Sequence, residues 1–118
     1  MLGAVMVVDD DAAFRCMARL ALGDAGLVVA GEADSAGTAL AAARYLKPAG
    51  VLVDVGLPDG DGVALARALS ALPWRPRVVL TSSDPEAAGD DEVRASGAQA
   101  FVAKDCLPDA AWRRLFGL

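Results

Sequence analysis

The chain is predicted to be an α/β protein, a (βα)5 doubly wound, five-stranded parallel sheet with strand order 2-1-3-4-5. Two observations predict it. Five short apolar runs, Ala4–Val8, Leu27–Ala30, Val51–Val53, Val78–Leu80 and Phe101–Ala103, show no alternation with polar residues. That pattern belongs to strands covered on both faces, as in a parallel sheet between helices. The segments between the runs carry apolar residues at helical spacing and stop at Gly or Pro.

Taken in order, the first run leads to Asp11, placed as a helix N-cap, and to the stripe Phe14, Met17, Ala18, Ala21 and Ala25, ended by Gly26. The second run precedes Ser35, another cap, and the stripe Ala36, Ala39, Leu40 and Ala43, stopped by Pro48 with Gly50. After the third run the loop VGLPDGDG leads into Leu65, Ala66, Leu69 and Leu72, with Pro73 and Pro76 beyond. Asp84 reads as a third cap. The following Pro85–Ser96 segment is interrupted by Gly89-Asp90-Asp91, which predicts a short or loose helix closed by Gly97. Ala111, Trp112 and Leu115 form a last helical stripe. No linker, repeat or second domain interrupts the pattern, so residues 1–118 are expected to be one domain. Strand order 2-1-3-4-5 is the common small arrangement of this type.

Composition narrows the function. At 118 residues, 55% hydrophobic but only 5% aromatic, the core must be built from Ala, Val and Leu. The net charge of −5 argues against direct nucleic-acid binding, which depends on phosphate neutralisation. No apolar run approaches the ~18–20 residues of a membrane span. Cys16 and Cys106 form no CxxC pair and suggest no disulfide framework, and a cytoplasmic protein is expected. With no histidine, a His-based triad, an HExxH zinc site and a phosphohistidine on this chain are excluded. Chemistry must come from Asp, Lys, Ser or Thr.

In open α/β sheets ligands bind at the carboxyl ends of the strands. Asp9 and Asp10 follow the first run, Asp54 the third, Thr81 and Ser82 the fourth, and Lys104 the fifth. Only the second run, at the sheet edge, is followed by nothing notable (Gly31, Glu32). Each residue alone has an ordinary reading as a loop or solvent-facing group. Together they put reactive or charged groups at one edge of one sheet. Three carboxylates there repel: at ~4–5 Å and an effective dielectric near 20, each pair costs on the order of 3–4 kcal/mol. Raised pKa values or a bound cation relieve this. An oxygen-only ligand set favours Mg²⁺ or Mn²⁺ over zinc. Lys104 and Thr81 can bind phosphoryl oxygens. A carboxylate nucleophile, a divalent ion and a lysine suit phosphoryl transfer.

The segments VVDDD at 7–11, VLVDVGLPDGDG at 51–62, VVLTSS at 78–83 and GAQAFVAKD at 97–105 resemble, in order and spacing, the four signature blocks of the receiver domain of bacterial two-component response regulators. The resemblance covers essentially the whole chain and implies the flavodoxin-like receiver fold. It implies that Asp54 is the phosphoacceptor. Asp9 and Asp10 would hold Mg²⁺ (or Mn²⁺) together with Asp54 and the backbone carbonyl of Gly56. Thr81 would be the switch hydroxyl, Lys104 the partner of Asp54 and of the phosphoryl oxygens, and Phe101 the aromatic switch residue. Pro58 and Gly62 match the loop pattern. The implied partners are a sensor histidine kinase or histidine phosphotransfer protein and an output protein the sequence does not name. A phosphorylation-dependent dimer is also compatible, with no direct contact to nucleic acid or membrane. Such a domain is no enzyme in the usual sense, but assists its own phosphorylation and autodephosphorylation. Small residues at Gly56 and Ser83 imply open water access and quick loss of the phosphoryl group.

The family often has Pro after the lysine, where this chain has Asp105. The short segment after Lys104 reads as a stand-alone receiver, although one cut from a longer regulator would read identically. A phosphatase of the haloacid-dehalogenase type would need Asp where Gly56 stands. A nucleotide- or flavin-binding domain would need a glycine-rich loop after the first strand. The alternative kept is a pseudo-receiver, a phosphorylation-independent interaction module.

Overall fold

The structure is a computed structural model describing residues 4–117. The apolar runs become β1 (Ala4–Val8), β2 (Val28–Ala33), β3 (Gly50–Asp54), β4 (Arg77–Ser82) and β5 (Ala100–Ala103). Between and after them lie α1 (Ala12–Asp24), α2 (Ala36–Leu46), α3 (Gly62–Ser70), α4 (Asp90–Ala95), a 3-10 helix (Lys104–Asp109) and α5 (Trp112–Leu115). All five strands pair in parallel in the spatial order β2-β1-β3-β4-β5, as predicted.

Successive strand side chains point to opposite faces, and this sorts the core into two layers. Met6, Val8, Val51, Val53, Val78 and Leu80 pack against Ala39 and Ala43 of α2 and Leu65, Ala66 and Leu69 of α3. Val5, Val7, Leu52 and Val79 face Phe14, Ala18 and Leu22 of α1 and Trp112 and Phe116 at the C-terminal end. Small Ala residues on α2 and α3 suit a sheet face already filled by Val and Leu. The buried aromatics, Phe14, Trp112 and Phe116, lie on the opposite face.

Four expectations are corrected. In β2 the burial alternates, and Val28 is 53% exposed. As an edge strand, β2 has a neighbour on one side only, so continuous apolarity in its sequence does not mean burial. In α1 the buried stripe is Phe14, Ala18 and Leu22, whereas Met17 is exposed. The stripe advances by four residues from Phe14, and Met17 falls off it. The expected short helix is present as the six-residue α4, but Gly89-Asp90-Asp91 begins it rather than interrupting it: Gly89 is the N-cap, and Asp90, Asp91 and Glu92 fill the first turn, where carboxylates favour the helix dipole. Asp84 caps no helix. Its carboxylate accepts the Glu86 amide within a turn instead. Asp11 and Ser35 do cap α1 and α2, accepting the Phe14 and Thr38 amides among others.

Candidate functional site

The parallel register sets the site. Val8 pairs with Val53, so Asp9, just past β1, and Asp54, the last residue of β3, leave the sheet at one level. Asp54 in turn pairs with Thr81, and Thr81 with Val102. Lys104 starts the 3-10 helix directly after β5. Of the predicted residues, Asp9, Asp10, Asp54 and Lys104 are brought together, and Thr81 stands beside Asp54 in the sheet. Each of Asp9, Asp10 and Asp54 offers a carboxylate oxygen within 4.8 Å of the others. Asp9 is fully buried, Asp54 is 8% exposed and Asp10 faces solvent.

Asp9 divides its two oxygens. Oδ1 accepts the Asp11 amide at 2.9 Å, which ties the carboxylate to the α1 cap. Oδ2 is buried without a well-angled hydrogen bond, and its close cation is Lys104 Nζ at 2.7 Å. Lys104 Nζ is 3.9 Å from Asp54 Oδ2 and 4.0 Å from the centroid of the Phe14 ring. Burial raises the Asp54 pKa, and the charge of Asp9 raises it further. Lys104 and the Gly56 amide oppose this, and Asp10 adds a smaller upward push. A carboxylate held partly out of water beside two others is a site that a small divalent cation would relieve. The buried Oδ2 of Asp9, the clustered oxygens and the absence of nitrogen or sulfur ligands from the cluster fit Mg²⁺ or Mn²⁺.

The loop after Asp54 folds back on itself. Gly56–Leu57 pairs antiparallel with Gly60–Asp61, Leu57 is buried, and Asp61 caps α3 through the Val63 amide. Gly62 could not be another residue in this geometry, because a Cβ there would collide with the Asp54 carbonyl oxygen and lie 2.7 Å from Val55 Cα. Gly56 is open, since a Cβ at that position would meet nothing within 4 Å, and Ser83 is exposed. Thr81 Oγ1 donates to the Val102 carbonyl at 2.7 Å, so its proton is committed to β5. Phe101 is half-buried, packing on the α2–α3 layer and lining a groove of about 320 Å³ with Pro85, Ala88, Val93 and Arg94. Asp105 continues the 3-10 helix, and no cis peptide occurs among the described residues.

Sequence reasoning missed three contributors. Glu32, passed over at the edge strand, binds Arg15 at 2.9 Å and Arg19 at 2.6 Å, and Arg15 also donates to the Asp9 carbonyl. The Arg19 bond, with Arg15 assisting, outweighs partial burial and lowers the Glu32 pKa. Two arginines at i and i+4 facing a strand glutamate are a signal, but only once α1 is known to lie over β2. Asp59 accepts the Ala36 and Gly37 amides at 2.8 and 3.1 Å, which fastens the loop after Asp54 to the start of α2 and lowers the Asp59 pKa. Phe14 reads as core in the sequence, and nothing in its spacing points to Lys104.

The comparisons agree with this geometry. The family profile described as the response regulator receiver domain matches residues 5–115. The DNA-binding transcriptional activator DevR/DosR of Mycobacterium tuberculosis is 36% identical over 106 residues, 89% of this chain and 48% of that protein. The KDP operon transcriptional regulatory protein KdpE of Escherichia coli is 34% identical over 102 residues, 85% of this chain and 44% of that one. The chain spans half or less of the length of the curated relatives it matches. The signal receiver domain of NarL from Mycobacterium tuberculosis superposes with a TM-score of 0.82 at 30% identity, covering 99% of this chain and 98% of the other. No helix among the described residues is long and apolar enough to cross a membrane. Acidic strand ends, a lysine after the last strand and a matched profile over nearly the whole length lead to one assignment: the chain belongs to the receiver domain family of two-component response regulators.

Proposed function

We propose that residues 1–118 form one phosphorylatable receiver that takes a phosphoryl group onto Asp54 from a phosphohistidine of a sensor kinase or histidine phosphotransfer protein. One observation carries the reading: Asp9, Asp10 and Asp54 present oxygens within 4.8 Å of one another, with Lys104 Nζ beside two of them. An Asp54 carboxylate oxygen attacks phosphorus as the P–N bond breaks, and the electron pair leaves with the donor imidazole. Asp9, Asp10, Asp54 and the Gly56 carbonyl would hold Mg²⁺ (or Mn²⁺), which would supply charge neutralisation of the phosphoryl oxygens. Lys104 has a short move to make from Asp9 to the phosphoryl group. Thr81 must give up its bond to the Val102 carbonyl to reach the same group, and that exchange couples the site to β5. Phe101, one residue before Val102 and facing the α4 groove, turns inward as Thr81 moves, and the face formed by α4, β5 and α5 changes for the output protein. The open surroundings of Gly56 and Ser83 favour quick autodephosphorylation by water.

The test is intact mass after incubation with acetyl phosphate and Mg²⁺, beside Asp54→Asn. One added phosphoryl group in the parent, absent in the variant and without Mg²⁺, is expected. If neither acetyl phosphate nor beryllofluoride with Mg²⁺ modifies or binds the parent, the reading gives way to a phosphorylation-independent interaction module.

A further inference from the structure

Lys104 sits between two carboxylates, yet the structure places it unevenly: 2.7 Å from Asp9 Oδ2 and 3.9 Å from Asp54 Oδ2. Charge alone does not choose between two aspartates at the same sheet edge. The third neighbour does. The Phe14 ring lies with its centroid 4.0 Å from the ammonium, inside the range in which a ring face attracts a cation. Phe14 is itself fixed. It is 6% exposed in the core between α1 and the sheet, and its amide is held by the Asp11 cap. The same cap segment orients Asp9, since the Asp11 amide holds Asp9 Oδ1. The Asp11 cap therefore holds the Phe14 ring face and the Asp9 carboxylate together, and Lys104 contacts both.

We infer that Phe14 is a positioning residue for Lys104, an aromatic rest that holds the ammonium on Asp9 and so makes the lysine compete with a divalent cation for Asp9 Oδ2. This rests on the proposed Mg²⁺ site for its second half, whereas the hold of the ring on the lysine is independent of it. A cation bound through Oδ2 and an ammonium on the same oxygen repel each other at short range. Ion binding thus releases Lys104 from Asp9 and Phe14, making it available to Asp54 and to an incoming phosphoryl group. Removing the ring face loosens the lysine and favours the ion.

The chain has two lysines, Lys47 and Lys104, which makes the experiment direct. With ¹³C-labelled lysine, the ε-methylene protons of Lys104 are expected upfield of those of exposed Lys47, because they lie over the ring. Phe14→Leu should move them to the Lys47 position, Phe14→Tyr should not, and Mg²⁺ should move them in the parent. By calorimetry, Phe14→Leu should bind Mg²⁺ about two- to tenfold more tightly, the size of a partly buried cation–π contact. That gain should vanish in a Lys104→Met background, where a merely structural effect of the leucine would persist. Absence of the upfield shift in the parent overturns the inference, as does unchanged or weaker Mg²⁺ binding in Phe14→Leu, or a gain that survives Lys104→Met. If neither the parent nor Lys104→Met binds Mg²⁺, the metal site fails and the competition with it, while the chemical shift still decides whether Phe14 holds the lysine. If only Lys104→Met binds the ion, the lysine blocks the site without help from Phe14, and the competition half of the inference is overturned. A destabilised Phe14→Leu does not spoil the test, since the shift in the parent and the Lys104→Met titration stand alone.

Discussion

Gly62 and Asp54 are in backbone contact across the loop that follows Asp54: the Gly62 amide donates to the Val55 carbonyl at 2.8 Å, and a methyl group on Gly62 would run into the Asp54 carbonyl oxygen. Helix α3 therefore starts against the backbone of Asp54 itself. Gly62→Ala is expected to cost about 3 kcal/mol or more, because the obstacle is main chain rather than a side chain that can turn away. Urea unfolding measures this, and a loss below about 1 kcal/mol would show that the loop shifts freely.

Asp54→Asn is expected to stabilise the fold at neutral pH. Burial, then Asp9, raise the Asp54 pKa against the pull of Lys104 and the Gly56 amide. A raised carboxyl pKa means that the folded protein binds the proton more tightly than the unfolded chain. Stability therefore falls as pH rises from the ordinary carboxyl range through the raised value. Asn removes that loss, so its advantage should be full above the Asp54 pKa and fade as pH drops into the ordinary range. Thermal melts of both proteins across pH decide it, and a pH-independent difference would contradict the electrostatic cause.

Thr81→Ala removes the donor to the Val102 carbonyl and should cost about 1 kcal/mol of stability, whereas Thr81→Ser keeps the hydroxyl and most of that bond. On the proposed function, Ala should also weaken beryllofluoride binding by about tenfold, the size of one charge-assisted hydrogen bond. Equal binding by the Ala and Ser variants would remove the hydroxyl from the switch.

Asp59→Ala should leave the sheet intact and speed hydrogen exchange at the Ala36 and Gly37 amides, which its carboxylate now occupies. The Asn variant should be intermediate. Unchanged exchange at both amides would mean that the Asp59 link is not formed in solution.

Phe116→Ala should destabilise the protein by about 3–5 kcal/mol. Phe116 is 1% exposed, stacks on Trp112 with ring centroids 6.1 Å apart, and fills the space left by Gly50. The four-residue α5 has little helical stability of its own and depends on this packing. Trp112, buried and next to Phe116, reports the change by fluorescence during denaturation.

The sheet was legible because β1, β3 and the interior of β4 are covered on both faces, which leaves their sequences almost no polar residue. β2 obscured its own nature, since Val28 and Val29 read as core while the edge position leaves Val28 in solvent. Phe116, buried just past the end of α5, stands outside the stripes read from the sequence, and Leu22 was passed over although it continues the four-residue spacing of Phe14 and Ala18. The polar positions Asp9, Asp54, Thr81 and Lys104 were visible because the end of an apolar run fixes them on the backbone. Arg15 on the Asp9 carbonyl, Asp59 on α2 and Phe14 under Lys104 depend on which helix lies over which strand, and no local pattern encodes that.

The pairing of Asp54 with Thr81, and of Thr81 with Val102, has a consequence for how such a protein diversifies. Neighbouring strands stand about 4.8 Å apart whatever side chains cover them. The gap between Asp54 and the Thr81 hydroxyl is thus a ruler built from main chain, and the outer faces of the helices take no part in setting it. On the proposed function, those faces can be rewritten to suit a new phosphoryl donor or output protein while the spacing of Asp54 and Thr81 stays fixed. A chimera carrying foreign outer residues on α1 and α4 should still take up phosphate from acetyl phosphate at the parental rate, whatever partners it has lost.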